Sequence, residues 1–536
     1  MSTRVCAPAL ALPGCIEWIH DTPVAAGRPS QAFHGWKEGP QRSSSLVAGL
    51  PPAVSFLPVL TFEKELHVLE SFFKFRANGT NVRRDTIAGL TTFIVMSYII
   101  FVNPSILGLG GKGLPFSPAL TSTCLVAGVM TIIMGLFTNR AYAIAPGMGL
   151  NAVVAFSLVL GQGLTFKSAM GIIFMEGVAI TILVLTGFRE AIFKAIPLEL
   201  KKAIVVGIGF FILFIGLVDG GIVYGGGGGT PLAMADLIGV PIAVTVFGLI
   251  ITIVMMARKW KAAILLGIVF STVLATILNY IYDKKSFAEG IAVLPKKVVA
   301  NPDFSLVGKF DFGAFAKLGI ISAILWIFSV MLSDFFDTMG TLIGVGGQAG
   351  YLDEDGNLPQ VNRPLIVDSL AAVAGGAVSS SSATTYIESG AGVGVGGRTG
   401  WVGVIVGVCF LLAMFFSPIA GIVPANATAP ALIIVGYLMM ATLTEGEAKA
   451  EHASVLKAFA AIDFSDISFG LPAVLTMTIM PLTYSITNGI GAGFVSFVTI
   501  KIAQGKARTI SWMLWVASAA FVLYFIFPLL RKEFGW

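Results

Sequence analysis

The chain has little charge: Asp, Glu, Lys and Arg make up 12% of its 536 residues, against roughly 25% in soluble domains. It has no histidine between His67 and His452. That removes imidazole as a proton relay from the long central region and argues against a transition-metal site there. Its four cysteines, Cys6, Cys15, Cys124 and Cys409, lack any paired spacing, so neither a disulfide framework nor a zinc pattern is present. The net charge of +5 is small for the length and comes from loop Lys and Arg, which excludes a nucleic-acid surface. No metal, no cofactor and no nucleic-acid partner is expected.

Apolar residues are abundant. Hydrophobic side chains reach 56% and the mean hydropathy is +0.88. Run after run attains the roughly 20 apolar residues that cross a bilayer, which predicts an all-α polytopic membrane protein with the lipid bilayer as its surroundings. Residues 1–68 differ. They are rich in Pro, Ser and Gly, fit a secretory signal poorly, and read as a disordered extension or as a start placed too far upstream. Order is expected from residue 69. Arg83 and Arg84 precede the first span, 86–107, and place the N-terminus in the cytoplasm. Further spans are expected at 118–138, 168–186, 203–218, 240–256 and 262–281. Between 118–138 and 168–186 lies an interrupted segment containing Pro146, Gly147 and Gly149. Proline and glycine break a helix, and broken backbone at membrane depth needs protein or a wet cavity around it. This predicts a short extended piece, then a half-helix from near Gly149 with Asn151 in its first turn.

A polar connection, 282–316, follows about seven crossings. An odd number makes the second half begin from the opposite face, the signature of an inverted repeat. The first repeat is then 69–281 and the second 317–536. Two apolar segments of the second half, 320–332 and 364–378, each run into polar residues: Asp334 and Asp337 after the first, Ser379–Ser382 and then Glu388 after the second. Carboxylates at such depth are expensive unless they face a wet or protein-lined interior. Asp334, Asp337 and Glu388 are therefore candidates for the floor of a binding site. The plainer readings are a solvated helix end for the aspartates, an N-terminal capping acid for Glu388 and an N-cap for Asn151.

Segment 379–400 is the second interrupted one, with Ser389 and Gly390 at its turn. Asn151 and Glu388 sit at similar offsets in the two halves, about 65 and about 70 residues, and paired broken segments point to a transporter's substrate site. A carboxamide with a carboxylate matches the hydrogen-bonding edge of a purine. Gly392, Gly394 and Gly397 spell the dinucleotide fingerprint but open no βαβ unit, so close helix packing explains them better. Spans at 401–416 and 427–440 follow. The stretch 471–502 is too long for one span, with a bend expected over Asn488–Gly493, and 511–530 closes the chain, giving about fourteen elements by the repeat logic. A channel would need a continuous polar lining, and an enzyme a nucleophile–base pair or a metal set; neither is evident.

From about residue 69 onward the chain resembles the AzgA-like purine permeases, related to the nucleobase–ascorbate transporters. The resemblance is carried by Asn-Gly-Thr-Asn-Val-Arg-Arg (78–84), Phe-Val-Asn-Pro (101–104) and Ala-Pro-Gly-Met-Gly-Leu-Asn-Ala (145–152). It continues in Ser-Asp-Phe-Phe-Asp-Thr-Met-Gly-Thr-Leu (333–342), Ser-Ser-Ala-Thr-Thr-Tyr-Ile-Glu-Ser (381–389) and Met-Pro-Leu-Thr-Tyr-Ser-Ile (480–486). It implies two inverted repeats of seven elements. Core elements would be 86–187 and 318–416, gate elements 199–281 and 427–530. Asn151, Asp334 and Glu388 would contact substrate, Asp337 or Glu388 would handle the proton or support the site, and the backbone at Gly147, Gly149, Ser389 and Gly390 would shape it. The implied activity is proton-coupled uptake of adenine, guanine or hypoxanthine across the cell membrane by movement of the core past the gate. Uracil or xanthine on the same fold is the alternative, and a homodimer is left open.

Overall fold

A computed structural model describes residues 69–187, 196–225, 231–353, 358–445 and 462–534. The expectation for 1–68 lies outside these residues, as do most of the Gly225–Gly229 run and the polar stretch 446–461.

The elements in chain order are α1 (Val82–Met96), α2 (Ile99–Gly108), α3 (Phe116–Thr138), β1 (Ile144–Pro146), α4 (Met148–Ala152), α5 (Phe166–Leu185) and α6 (Leu198–Asp219). A small hairpin follows, β2 (Val223–Tyr224) and β3 (Ala233–Met234), then α7 (Val240–Ala257), α8 (Ala263–Ile281), α9 (Gly313–Leu318) and α10 (Ile320–Ala349). The chain continues with α11 (Asn362–Ala377), β4 (Ala383–Thr385), α12 (Ser389–Gly394), α13 (Trp401–Ala413) and α14 (Ser417–Ala420). It ends with α15 (Ala425–Glu445), α16 (Ile467–Leu482), α17 (Ile486–Ala503) and α18 (Trp512–Phe534). Among the described residues nine helices are long and apolar enough to cross a membrane, and four shorter apolar ones accompany them. The protein is a multi-pass helical membrane protein.

Local chemistry sets the boundaries. Asn81 caps α1, its side chain accepting from the Arg84 amide at 2.9 Å. Asn139 ends α3 in the left-handed region at φ 51. Within the bundle, hydrophobic burial gives no preference for helix over lipid, so close backbone approach between small residues brings helices together. A Cβ on Gly400 would lie 1.8 Å from the Gly135 carbonyl oxygen, and one on Gly407 2.4 Å from that of Gly128, which seats α13 on α3. Gly209 and Gly436 do the same for α6 and α15, at 2.7 and 2.5 Å. Gly400→Ala should therefore force α13 off α3 and lower the thermal transition of the detergent-solubilised protein, by about 1–3 kcal/mol of overpacking. Gly394→Ala, which meets nothing within 4 Å, should leave it in place; equal transitions would remove this account of the contact.

Two expectations change and a third holds in part. The acidic run is not at a helix end: α10 continues through Asp334 and Asp337 to Ala349. The bend of the 471–502 stretch falls at Thr483–Ser485, between α16 and α17, rather than over Asn488–Gly493. Those glycines instead let α17 lie against α16, since a Cβ on Gly489 would sit 2.2 Å from Met480 and one on Gly493 1.9 Å from Thr476. The 392–397 glycines are packing residues in part: a Cβ on Gly392 would meet Thr92 at 2.2 Å and one on Gly397 would meet Ala88 at 2.7 Å, both on α1.

Candidate functional site

The two interrupted segments meet. β1 and β4 pair antiparallel, Ile144 opposite Thr385, Ala145 opposite Thr384 and Pro146 opposite Ala383. The ladder extends at both ends, with Tyr386 N–H donating to Ala143 O and Gly147 N–H to Ser382 O, each at 2.9 Å. The outer edge of β1 is satisfied by a side chain. Thr131 Oγ1 donates to the Ile144 carbonyl and accepts from its amide, both at 2.9 Å. Ser389 Oγ accepts from Ala143 N–H at 2.9 Å, and Tyr386 Oη donates to Pro146 O at 2.5 Å. Every strand residue is buried, which is how extended backbone is tolerated inside an apolar bundle.

A helix leaves each strand. α4 starts after Gly147 and continues as a π-helical turn, Val153–Gly161; α12 starts at Ser389. Gly147 and Gly149 sit in tight contact: a Cβ on Gly149 would lie 2.9 Å from Ile208 and one on Gly147 3.2 Å from Thr384 Oγ1, so these side chains would have to shift. A Cβ on Gly390 would come within 2.6 Å of Gln348 Oε1. α10 packs against α4, β4 and α12, so the elements bearing Asn151, Asp334, Asp337 and Glu388 come together.

Asn151 is fully buried, and neither atom of its amide has a hydrogen-bond partner. The capping reading fails, because Gly147 occupies the N-cap of α4 and the Asn151 side chain bonds no backbone group. A buried amide left open costs about 1–3 kcal/mol, a cost that a solute edge would offset. Asp334 is fully buried in the middle of α10, which rules out a solvated helix end for it. Asp337, one turn further and partly exposed, accepts from Thr384 Oγ1 at 3.2 Å. Glu388 precedes α12 but caps nothing; its Oε1 accepts from Tyr98 Oη at 2.6 Å.

Other polar residues are built into the same region and were not singled out from sequence. Asp368, fully buried on α11, accepts from Thr385 N–H at 2.8 Å, Thr385 Oγ1 at 2.9 Å and Thr338 Oγ1 at 2.6 Å. Glu176 on α5 accepts from Ser382 Oγ at 3.3 Å. Asn103 Nδ2 donates to Thr123 Oγ1 at 2.8 Å and to Ser380 O at 3.1 Å. The signal for the two acids was available, since each is an ionisable residue inside a membrane-length apolar segment. Tyr98 gave none.

A multi-pass helical protein whose two broken segments pair beside buried acids has the build of a membrane transporter. In fold it is similar to the transmembrane domain of a cyanobacterium bicarbonate transporter, BicA, with a TM-score of 0.54 at 14% identity over 75% of this chain and 96% of that one. The chain belongs to the permease family, whose model matches residues 83–450. It is 38% identical to the adenine permease AdeP of Escherichia coli over 460 residues, 86% of this chain and 96% of that protein. It is 37% identical to the guanine/hypoxanthine permease PbuG of Bacillus subtilis over 468 residues, 86% of this chain and all of that one. A permease moves its solute unchanged, so the chain is a transporter and not an enzyme.

Proposed function

We propose that the protein takes up purine nucleobases (adenine, guanine or hypoxanthine) across the cell membrane by proton symport, with its N-terminus in the cytoplasm. The observation that carries the reading is the open amide of Asn151, buried where α4 packs against the helix of Asp334 and Asp337. A purine offers ring N–H and exocyclic donors to a carboxylate, and donors and acceptors together to a carboxamide. The relatives named for purine transport support the same class of solute.

The architecture we propose is two inverted repeats of seven elements, 69–281 and 317–536 joined by 282–316. Core elements are 86–187 and 318–416, and gate elements 199–281 and 427–530. Antiparallel pairing of one broken segment from each half supports it. Asn151, Asp334 and Glu388 hold the base. Asp337 or Glu388 takes the proton, and Gly147, Gly149, Ser389 and Gly390 leave the room these groups need. A bare carboxylate resists passage along an apolar gate because its charge would leave water. Once a proton and a base neutralise and cover it, the loaded core can slide past the gate; a core carrying only one of the two stays, and the emptied core, its acid hydrogen-bonded within the protein as Glu388 is to Tyr98, returns to close the cycle.

Purified protein in liposomes should concentrate labelled hypoxanthine when the outside is acidic, and lose the gradient of solute on adding a protonophore. Uptake that merely equilibrates would remove the symport. Uptake of uracil or xanthine with none of the three purines would transfer the site to those bases.

A further inference from the structure

Asp368 takes no part in the mechanism above, yet it receives three hydrogen bonds inside the membrane region. We propose that Asp368 is the positioning residue that fixes the two acid-bearing pieces of the site relative to each other. The inference rests on the reading of that site as a purine site.

The hydrogen bonds form a closed ring. Thr384 Oγ1 donates to Asp337. The next residue along β4, Thr385, gives both its amide and its hydroxyl to Asp368 Oδ1. Asp368 Oδ2 takes the hydroxyl of Thr338, the residue after Asp337. Two peptide links, 337–338 and 384–385, complete the circuit. The ring therefore joins α10, β4 and α11 at one level, directly beside Asp337 and three residues ahead of Glu388.

The platform beneath it is firm. A Cβ on Gly376 of α11 would lie 2.5 Å from the Phe174 amide nitrogen, and one on Gly177 of α5 2.4 Å from that of Val373. α11 is thus seated backbone to backbone on α5, and Asp368 projects the constraint onto the strand. Bonds to a carboxylate are shorter and stronger than neutral ones, and a hydroxyl donating to Asp368 cannot at the same time satisfy a drifting strand. Without the ring, β4 keeps its pairing with β1 but loses its register against α10. The spacing between Asp337 and Glu388 would then relax.

The test is hypoxanthine uptake and equilibrium binding by reconstituted protein, with the thermal transition measured on the same samples. Asp368→Ala should raise KM and Kd about tenfold or more, the ratio that loss of charge-assisted hydrogen bonds corresponds to, with Vmax per transporter nearly kept. Asp368→Asn retains an oxygen for Thr385 and lets the Thr338 hydroxyl turn to accept, so it should recover most of the affinity and keep the dependence of uptake on external pH. Thr338→Val, isosteric and mild, carries the test should Asp368→Ala fail to fold; its KM should rise about threefold or more by loss of one bond. A wild-type KM in Asp368→Ala or Thr338→Val would overturn the positioning role. So would an Asp368→Asn protein as impaired as Asp368→Ala, because the charge rather than the geometry would then matter. Failure of the unaltered protein to take up any purine would instead overturn the function proposed for the site, which separates the two failures.

Discussion

Asp334→Asn and Glu388→Gln should reach the membrane in normal amount and lose gradient-driven hypoxanthine uptake by about 100-fold, the ratio that roughly 3 kcal/mol corresponds to. Both changes keep the shape of the side chain and delete its charge. Asp334 is buried in the middle of a continuous helix, where a neutral amide is easier to insert than an acid. Glu388 bonds Tyr98 through one oxygen, and Gln offers an oxygen to the same hydroxyl. What disappears is the negative oxygen proposed above to accept from a base and to bind a proton. Membrane fractions quantified by immunoblot, with uptake of labelled hypoxanthine in the same cells, give the answer. Wild-type accumulation in both variants would end the assignment of the site.

Asp85→Ala should destabilise the fold by about 3 kcal/mol or more through stranded donors, without touching the solute. Asp85 is fully buried in the first turn of α1. Its Oδ1 accepts from Thr80 Oγ1 at 2.6 Å and from Arg398 N–H at 3.2 Å. Its Oδ2 accepts from the Thr399 amide at 3.0 Å and hydroxyl at 2.5 Å. These bonds tie the start of α1 to the turn that opens α13, more than three hundred residues away in sequence. Truncation leaves buried backbone N–H groups with no acceptor, and Asp85→Asn would turn an NH₂ toward one of them. The thermal transition in detergent should fall for both, while the Kd for hypoxanthine in surviving protein stays within about twofold, since ΔΔG values of separated sites are nearly independent. An unchanged transition would show that these four bonds are replaceable.

The broken segments were legible because proline and glycine act locally: Pro146, Gly147 and Gly149 announce an interruption whatever surrounds them, and β1 and α4 fall there. The glycines at 489–493 misled for the same reason. Their local meaning is flexibility, but their use is tertiary, since Met480 and Thr476 occupy the space where side chains would project. The chain bends instead just after Pro481, at a turn where Tyr484 takes φ 50. Asp334, Asp337 and Glu388 stood out because each follows a long apolar run. Asp368 and Glu176 lie within such runs and were passed over, although the same cost of burial applies to them. Tyr98 could not be anticipated, because a tyrosine in an apolar helix carries no mark of the acid it will meet 290 residues later.

The strand pair also bears on biosynthesis. Ile144 finds its partner only when Thr385 has emerged, 241 positions later by the register. At roughly 5–20 residues per second of translation this is a delay of about 10–50 s. During that interval the nascent β1 can rely on Thr131 along one edge alone, and its other edge must be kept wet or chaperoned by the insertion machinery. A ribosome released before codon 385 would leave a bundle of inserted helices with an unzipped centre, a natural substrate for membrane quality-control proteases.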